Sequence, residues 1–351
     1  MRRRKILVVF LIVFSVLLIS FTFYGYQVLN APNVLVEKQD RDLLIEPGET
    51  FKSLQDKLHK GKYVDDLVAF SFLAKLMKYD ENIKPGIYRL KKNMSNQQAI
   101  RLLRSGQQNE VNVTFNNVRL IEQLPEKIVK NMALAQEDFK SELDLFIEKN
   151  AYGFNENTVI SMFIPNTYRV YYTTSAEELI KRMYDEYEQF WSEDRKAKAN
   201  KLGMTQLEVS TLASIVQAES VKEDEKKRIA GLYVNRLKKG IALQADPTLV
   251  FAHRDFGLKR VLNKHKEIES PYNTYKYAGL PPGPINMPSI SSIDAVLNYE
   301  EHDYFYMCAK EDFSGYHNFA KTHREHMVNA RKYQRQLTIE QRKARQNSSN
   351  R

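Results

Sequence analysis

The sequence predicts an α+β protein made of an N-terminal transmembrane helix, a small α+β module and a larger α+β domain. Three observations carry that class: an uncharged apolar run at residues 6–24, a strand–helix–helix–strand pattern within residues 41–106, and mixed helical and strand-like periodicities across residues 107–336. At 351 residues, with 43% hydrophobic and 27% charged side chains, the chain can bury a core and carry an accessory module.

The apolar run, 19 residues from Ile6 to Tyr24, would extend roughly 30 Å as a helix at ~1.5 Å per residue, the thickness of a bilayer core. Arg2, Arg3, Arg4 and Lys5 make residues 1–5 a cytoplasmic tail, and Tyr24 and Tyr26 suit the far interface. The rest of the chain is therefore expected to be extracytoplasmic. A cleaved signal peptide is the competing reading, but the run is long for one and no small-x-small site follows it. Cys308 is the single cysteine, which excludes both an internal disulfide and an N-terminal lipid-modified cysteine.

The net charge of +10 is confined to the ends. Residues 2–5 supply +4 and residues 321–351 supply +7, leaving −1 for residues 6–320. A nearly neutral body excludes a general phosphate-binding surface, so no nucleic acid is expected as a partner.

Residues 25–40 read as a polar tether that leaves the membrane without packing. Beyond it, Leu43–Glu46 is strand-like and ends at Pro47-Gly48. Thr50 opens a helix that stops at Gly61, a second helix runs over 65–77, and Pro85-Gly86 precedes the strand 87–90 and a helix from Ser95 to Leu103. This arrangement over residues 41–106 is of the LysM kind.

In the larger domain, Val111–Phe115 is a strand, helical patterns cover 119–150 and 176–200, and Phe163 to Tyr168 reads as a loop. Thr205 and Glu208 form a T-x-x-E capping box that starts a helix near residues 204–206. Leu212, Ile215, Val216 and Glu219 then share one face, which places the Glu219 carboxyl against the interior. An acid there is either ion-paired or chemical; burial would raise its pKa and leave a proton usable near neutral pH. A further helix covers 224–239 and stops at Gly240, with Asp246-Pro247-Thr248 as N-cap, first residue and start of a short helix. Pro271, Pro281, Pro282, Pro284 and Pro288 stiffen a long loop, which by its length and stiffness is expected to be functional. Runs at 304–309 and 316–320 predict a hairpin. The tail is expected to be helical at first and disordered over 337–351.

Taken in order, Leu212-Ala-Ser-Ile-Val-Gln-Ala-Glu-Ser220, Asn235-Arg236-Leu237, Leu243-Gln-Ala-Asp-Pro-Thr248, Tyr272-Asn-Thr-Tyr275, Gly279-Leu-Pro-Pro-Gly-Pro-Ile285 and Gly315-Tyr-His-Asn-Phe319 resemble the endolytic murein transglycosylases, the YceG-like proteins. The resemblance covers about residues 40–335 and makes residues 107–336 the catalytic domain. It implies a single-pass enzyme of the inner (plasma) membrane, its catalytic part periplasmic, that cuts peptidoglycan glycan strands internally and ends strand elongation, with peptidoglycan synthases as partners. It implies Glu219 as the one acid/base, since the muramyl C6 hydroxyl attacks its own C1 and no second carboxylate is needed, unlike in hydrolytic glycosidases. Members often carry a second Glu where this chain has Gln217, so position 217 is not expected to be catalytic.

Gln244, Asp246, Asn273 and Thr274 are candidates for holding the sugar by hydrogen bonds, and His317 and Phe319 for lining the cleft. Each has a plainer reading: Asp246 as an N-cap, Asn273-Thr274 as turn stabilisers, His317 and Phe319 as strand packing. His323-Arg324-Glu325-His326 is not H-E-x-x-H and reads as a solvated face, so neither metal nor cofactor is expected. Two other readings stay open. A non-catalytic glycan-binding scaffold for wall synthases has Gln217 as its hint, and a hydrolytic glycosidase would draw its second carboxylate from Glu223, Asp224 or Asp246.

Overall fold

The computed structural model describes residues 2–258 and 260–349 and has a mixed α+β architecture. The expectations for Met1 and for residues 350–351 lie outside the described residues. The chain divides into two compact units: Met1–Val113 with Val129–Ala135 and Tyr168–Ser175, and Thr114–Ile128 with Gln136–Thr167 and Ala176–Arg351.

In the first unit, helix α1 spans Arg2–Asn30, and its apolar side chains from Ile6 to Ile19 are exposed. Its last turn is different: Val28 is buried and its carbonyl accepts from Asn96 Nδ2 at 3.0 Å. Strand β1 (Pro32–Val34) follows at once. Asn33 Nδ2 donates to the Asp66 carbonyl at 2.8 Å and to Asn96 Oδ1 at 2.7 Å, while its Oδ1 accepts from the Asp66 amide at 2.7 Å. The segment 25–40 is therefore part of the fold and not a free tether, with Val34 and Leu35 fully buried. The polarity that suggested a tether belongs in part to Asn33, a buried side chain whose partners lie far along the chain.

Strand β2 (Arg41–Ile45), helix α2 (Phe51–Lys60), helix α3 (Leu67–Leu76) and strand β3 (Gly86–Leu90) follow in the expected order. Thr50 and Ser53 cap α2 reciprocally, which satisfies amides that have no partner within the helix. β2 and β3 pair antiparallel from Arg41↔Leu90 to Ile45↔Gly86. Strand β4 (Met94–Ser95) pairs with β1, and helix α4 (Asn96–Ser105) ends on Gly106, whose φ of 77° is the left-handed conformation a C-terminal glycine supplies. Leu43, Ile45, Leu54, Phe70, Leu73, Tyr88, Ile100 and Leu103 form the core of this unit.

Strand β5 (Glu110–Phe115), helix α5 (Leu124–Val129), helix α6 (Gln136–Lys149) and strand β6 (Asn166–Tyr171) come next, and β5 pairs with β6. β6 takes in residues expected to be loop: Asn166 to Tyr168 follow a proline yet are extended because β5 offers a pairing edge.

The second unit continues with α7 (Ala176–Phe190), α8 (Glu193–Leu202), α9 (Gln206–Glu219), α10 (Lys226–Lys238), α11 (Asp246–His253), α12 (Ile290–Leu297), the hairpin β7 (Tyr306–Ala309) and β8 (His317–Ala320), and α13 (His323–Ser349). α9 is its central helix. Every residue from Val209 to Val216 is buried, against α10, α11 and α12. The predicted apolar stripe is thus one side of a helix covered all round, whose other sides carry the small residues Ser210, Thr211, Ala213 and Ser214. Burying Leu212, Ile215 and Val216 contributes roughly 1.5–3 kcal/mol each. α13 continues to Ser349, through residues expected to be disordered.

Candidate active site

α9 starts where the capping box sets it. Thr205 Oγ1 accepts from the Glu208 amide at 3.2 Å, and Glu208 Oε2 accepts from the Thr205 amide at 2.7 Å. Its C-terminal turn is fixed by the proline-rich loop. Ser214 Oγ accepts from the Ile285 amide at 3.0 Å, and the Ser214 carbonyl accepts from Asn286 Nδ2 at 2.9 Å. Gln217 spans the same loop, with Nε2 donating to Asn286 Oδ1 and the Met287 carbonyl and Oε1 accepting from the Ser289 amide at 2.6 Å. A rigid loop thus holds the end of α9 on which Glu219 stands.

The Glu219 carboxylate is buried, although the residue keeps part of its surface open to two cavities. Tyr233, from α10, donates its hydroxyl to Glu219 Oε1 at 2.6 Å. Burial pushes the Glu219 pKa up to about 7; the Tyr233 hydrogen bond and His317 pull it down, and the charge of Asp246 adds to the rise. Desolvation therefore outweighs its partners, and near neutral pH the group is shared between acid and conjugate base.

One cavity, about 350 Å³, is lined by Glu219, Tyr233, Arg236, Gln244, Tyr275 and His317 among others. The second, about 620 Å³, is lined by Arg119, Gln217, Glu219, Val250, Phe256 and Asn286 among others. Glu219 and Asp246 border both, so the acid stands on the wall that the two cavities share.

The surrounding side chains are held by partners of their own. His317 Nδ1 lies 2.8 Å from Oε2 of the buried Glu225, whose Oε1 accepts from the His317 amide at 2.8 Å. Ser220 Oγ donates to Glu225 Oε2 at 3.3 Å. With Nδ1 donating to the carboxylate, the Nε2 side of the imidazole is left for other contacts. Tyr275 donates to Asp246 Oδ1 at 2.5 Å. The hairpin that carries His317 is set on α10 by Asn235, whose Nδ2 donates to the carbonyls of His302 and Tyr304 at 2.6 and 3.1 Å. Gly231 permits that approach, since a Cβ there would clash with the Glu300 carbonyl oxygen.

Of the residues named from the sequence, Glu219, Gln244, Asp246 and His317 converge on the cavity wall. Asp246 is not an N-cap: Ala245 holds that position, and the Asp246 side chain turns to Tyr275. Asn273 and Thr274 are 0% and 2% exposed and serve the framework. Asn273 Nδ2 donates to the Lys266 and Ile268 carbonyls at 2.8 and 2.9 Å, and its Oδ1 accepts from the Tyr275 amide. Thr274 Oγ1 accepts from the Ala245 amide at 3.1 Å and lies 2.8 Å from Thr248 Oγ1. Both residues were candidates either for the sugar or for stabilising a turn; their polar atoms here fix Gln244 to Thr248 and the loop before Tyr275. Phe319 lies beside His302, Tyr304 and the Arg228 guanidinium and is not among the residues lining the cavity. His326, read as a solvated face, is half-buried, packs on Tyr306 and lines the cavity.

Tyr233, Arg236, Tyr275 and Glu225 were not singled out from the sequence as site residues. Tyr233 and Arg236 had a usable signal, lying three apart on α10 with Tyr233 on its buried side. Glu225 had none, because its link to the cavity runs through His317, on the hairpin 92 residues further on.

The fold and this site define an α+β protein whose Glu219 carboxyl is buried on a wall shared by two cavities. The profile of the YceG-like family matches residues 43–332, and the chain belongs to that family. It is similar to the endolytic murein transglycosylase of Bacillus subtilis (strain 168), with 30% identity over 320 residues covering 85% of this chain and 87% of the relative. It is also similar to the endolytic murein transglycosylase of Streptococcus pneumoniae serotype 2 (strain D39), at 27% identity over 87% of this chain, and spans 61% of that protein's length. A crystal structure of a YceG-like protein from Listeria monocytogenes matches with a TM-score of 0.54 and 27% identity, covering 83% of this chain and 98% of that one.

Proposed function

We propose that this protein is a lyase, an endolytic murein lytic transglycosylase, which cleaves the β-1,4 bond between N-acetylmuramic acid and N-acetylglucosamine within peptidoglycan strands. The observation that carries the reading is the position of Glu219, a buried acid with a pKa of about 7 on a wall common to two cavities. A strand lying through both would bring a glycosidic bond to the acid with sugars on either side, as internal cleavage requires. The names of the Bacillus and Streptococcus relatives support the same activity.

In this mechanism protonated Glu219 gives its proton to the glycosidic oxygen as the bond to muramyl C1 breaks. The resulting carboxylate takes the proton of the C6 hydroxyl as that oxygen closes onto C1, giving a 1,6-anhydro end and restoring the acid. Atoms balance without water. Tyr233 steadies the ionised intermediate form of Glu219 by its hydrogen bond. Gln244, Asp246, Tyr275 and His317 line the cavity where the sugar is positioned.

The apolar α1 anchors the protein as a single pass through the plasma membrane, with the catalytic unit outside the cytoplasm. The antiparallel β2–β3 pair with α2 and α3 between its strands supports a LysM-like module that engages the glycan. Peptidoglycan synthases are the expected partners, and ending strand elongation is the expected role.

Asp246 supports a second reading, a hydrolytic glycosidase, because it borders both cavities with Glu219 and its charge acts on that group. Mass spectrometry of strands digested by the full chain separates the two: anhydro ends support the lyase, and ends heavier by one water support the hydrolase. Binding without cleavage would favour the scaffold, but Gln217, the feature that suggested it, is occupied in holding the proline-rich loop.

A further inference from the structure

Arg236 is 7% exposed, and among the described residues no carboxylate pairs with it. Its Nη1 donates to the Leu243 carbonyl at 2.6 Å and its Nη2 to Gln244 Oε1 at 3.4 Å, while Nε is buried with no partner. A guanidinium out of water without a counter-charge is costly, more so with a donor left unused. His326 shows the same feature: its Nδ1 is buried with no partner. Both side chains line the 350 Å³ cavity that holds Glu219, and Tyr306 lies between them, 5.4 Å from the guanidinium carbon and 5.5 Å from the imidazole by ring centroids.

A positive charge on the cavity wall, with two unpartnered nitrogens buried behind that wall, favours an anion with acceptor oxygens. We propose that Arg236 and His326 form a carboxylate-binding subsite beside Glu219, which seats a carboxylate carried by the muramyl residue being cleaved. The planar guanidinium suits that group, because its N–H donors match carboxylate geometry. N-acetylglucosamine carries no carboxylate, so the subsite would tell the two alternating sugars apart and set which side of Glu219 each occupies. The carboxylate has two sources: the lactyl group of a peptide-free residue, or a free carboxylate on the peptide attached to it. The inference rests on the transglycosylase reading.

The experiment compares cleavage by the full chain of four strand preparations: peptide-bearing, peptide-stripped with free lactyl carboxylates, and each of these two with its carboxylates converted to amides. Amidation is expected to raise KM roughly 10- to 100-fold, the range for a lost charged hydrogen bond. The preparation in which the rise occurs identifies the source. In Arg236→Lys and His326→Gln that ratio should shrink towards one. A readout that needs no turnover is thermal shift: N-acetylmuramic acid should stabilise the Glu219→Gln protein more than N-acetylglucosamine does, and the additional Arg236→Lys change should remove the difference. Wild-type protein that cleaves charged and amidated strands with equal KM overturns the subsite and leaves the enzyme reading intact. Failure to cleave any preparation overturns the enzyme reading itself.

Discussion

The Tyr233 hydroxyl donates to Glu219 Oε1 at 2.6 Å, from a helix that follows the acid's own by only a short loop. The bond stabilises the ionised carboxylate and so pulls against burial, which raises the Glu219 pKa. Tyr233→Phe removes the downward influence. The alkaline limb of kcat/KM, set by loss of the protonated acid, should move to higher pH in that variant. A limb that stays in place or moves down would show that another group sets it.

Glu219→Gln keeps the shape and an oxygen to accept from Tyr233, but has no proton to transfer. Strand cleavage should fall ~10²- to 10⁴-fold, the range for a general acid/base. Stability should respond in the opposite sense. A carboxyl whose folded pKa lies above its unfolded value binds protons more readily when folded, so its ionisation destabilises the fold as pH rises from about 4.5 to about 7. The variant lacks that cost, on the order of 3 kcal/mol. Its melting temperature should match wild type near pH 4 and exceed it at pH 8. Equal melting temperatures at both pH values would place the carboxylate in water.

Much of this site was legible in the sequence because it is built from local signals. The T-x-x-E box fixed the start of α9, and helical spacing then put Glu219 on a buried face. The elements of the small module followed from Pro-Gly punctuation and caps in the same way. What was not legible depends on partners distant in the chain. Asn33 reads as polar linker until Asp66 and Asn96 surround it, and residues 166–168 read as loop until β5 pairs with them. Asn273 and Gln244 are equally polar and belong to neighbouring motifs, yet one is sealed inside the framework and the other faces the cavity. Residue type and spacing do not separate those outcomes.

Glu225 does not line the cavity itself and acts through His317, which makes it a positioning residue. Glu225→Gln should leave KM within about twofold and lower kcat by about 10²-fold, the scale of a misplaced group in an active site. Glu225→Asp, which keeps the charge on a shorter stem, should recover part of the loss. The His317 ring nitrogen resonances in NMR should report a change of tautomer in Glu225→Gln alone. A variant that loses stability and activity together, with the His317 tautomer unchanged, would make Glu225 a packing residue.

Asn273 supplies the sharpest contrast between framework and sugar contact. Its side chain satisfies two carbonyls, of Lys266 and Ile268, and two amides, of Tyr275 and Lys276, from a position with no solvent exposure. Asn273→Ala strands these groups where water reaches them poorly, at about 1–3 kcal/mol for each left unsatisfied. Partial relaxation brings the expected loss to about 2–4 kcal/mol, read as a lower urea midpoint with an unchanged slope. Activity per folded molecule should fall less, because the side chains that line the cavity are those of Gln244, Asp246 and Tyr275, which Asn273 and Thr274 hold only from behind. The opposite pattern, a raised KM with the urea midpoint unmoved, would return Asn273 to the sugar.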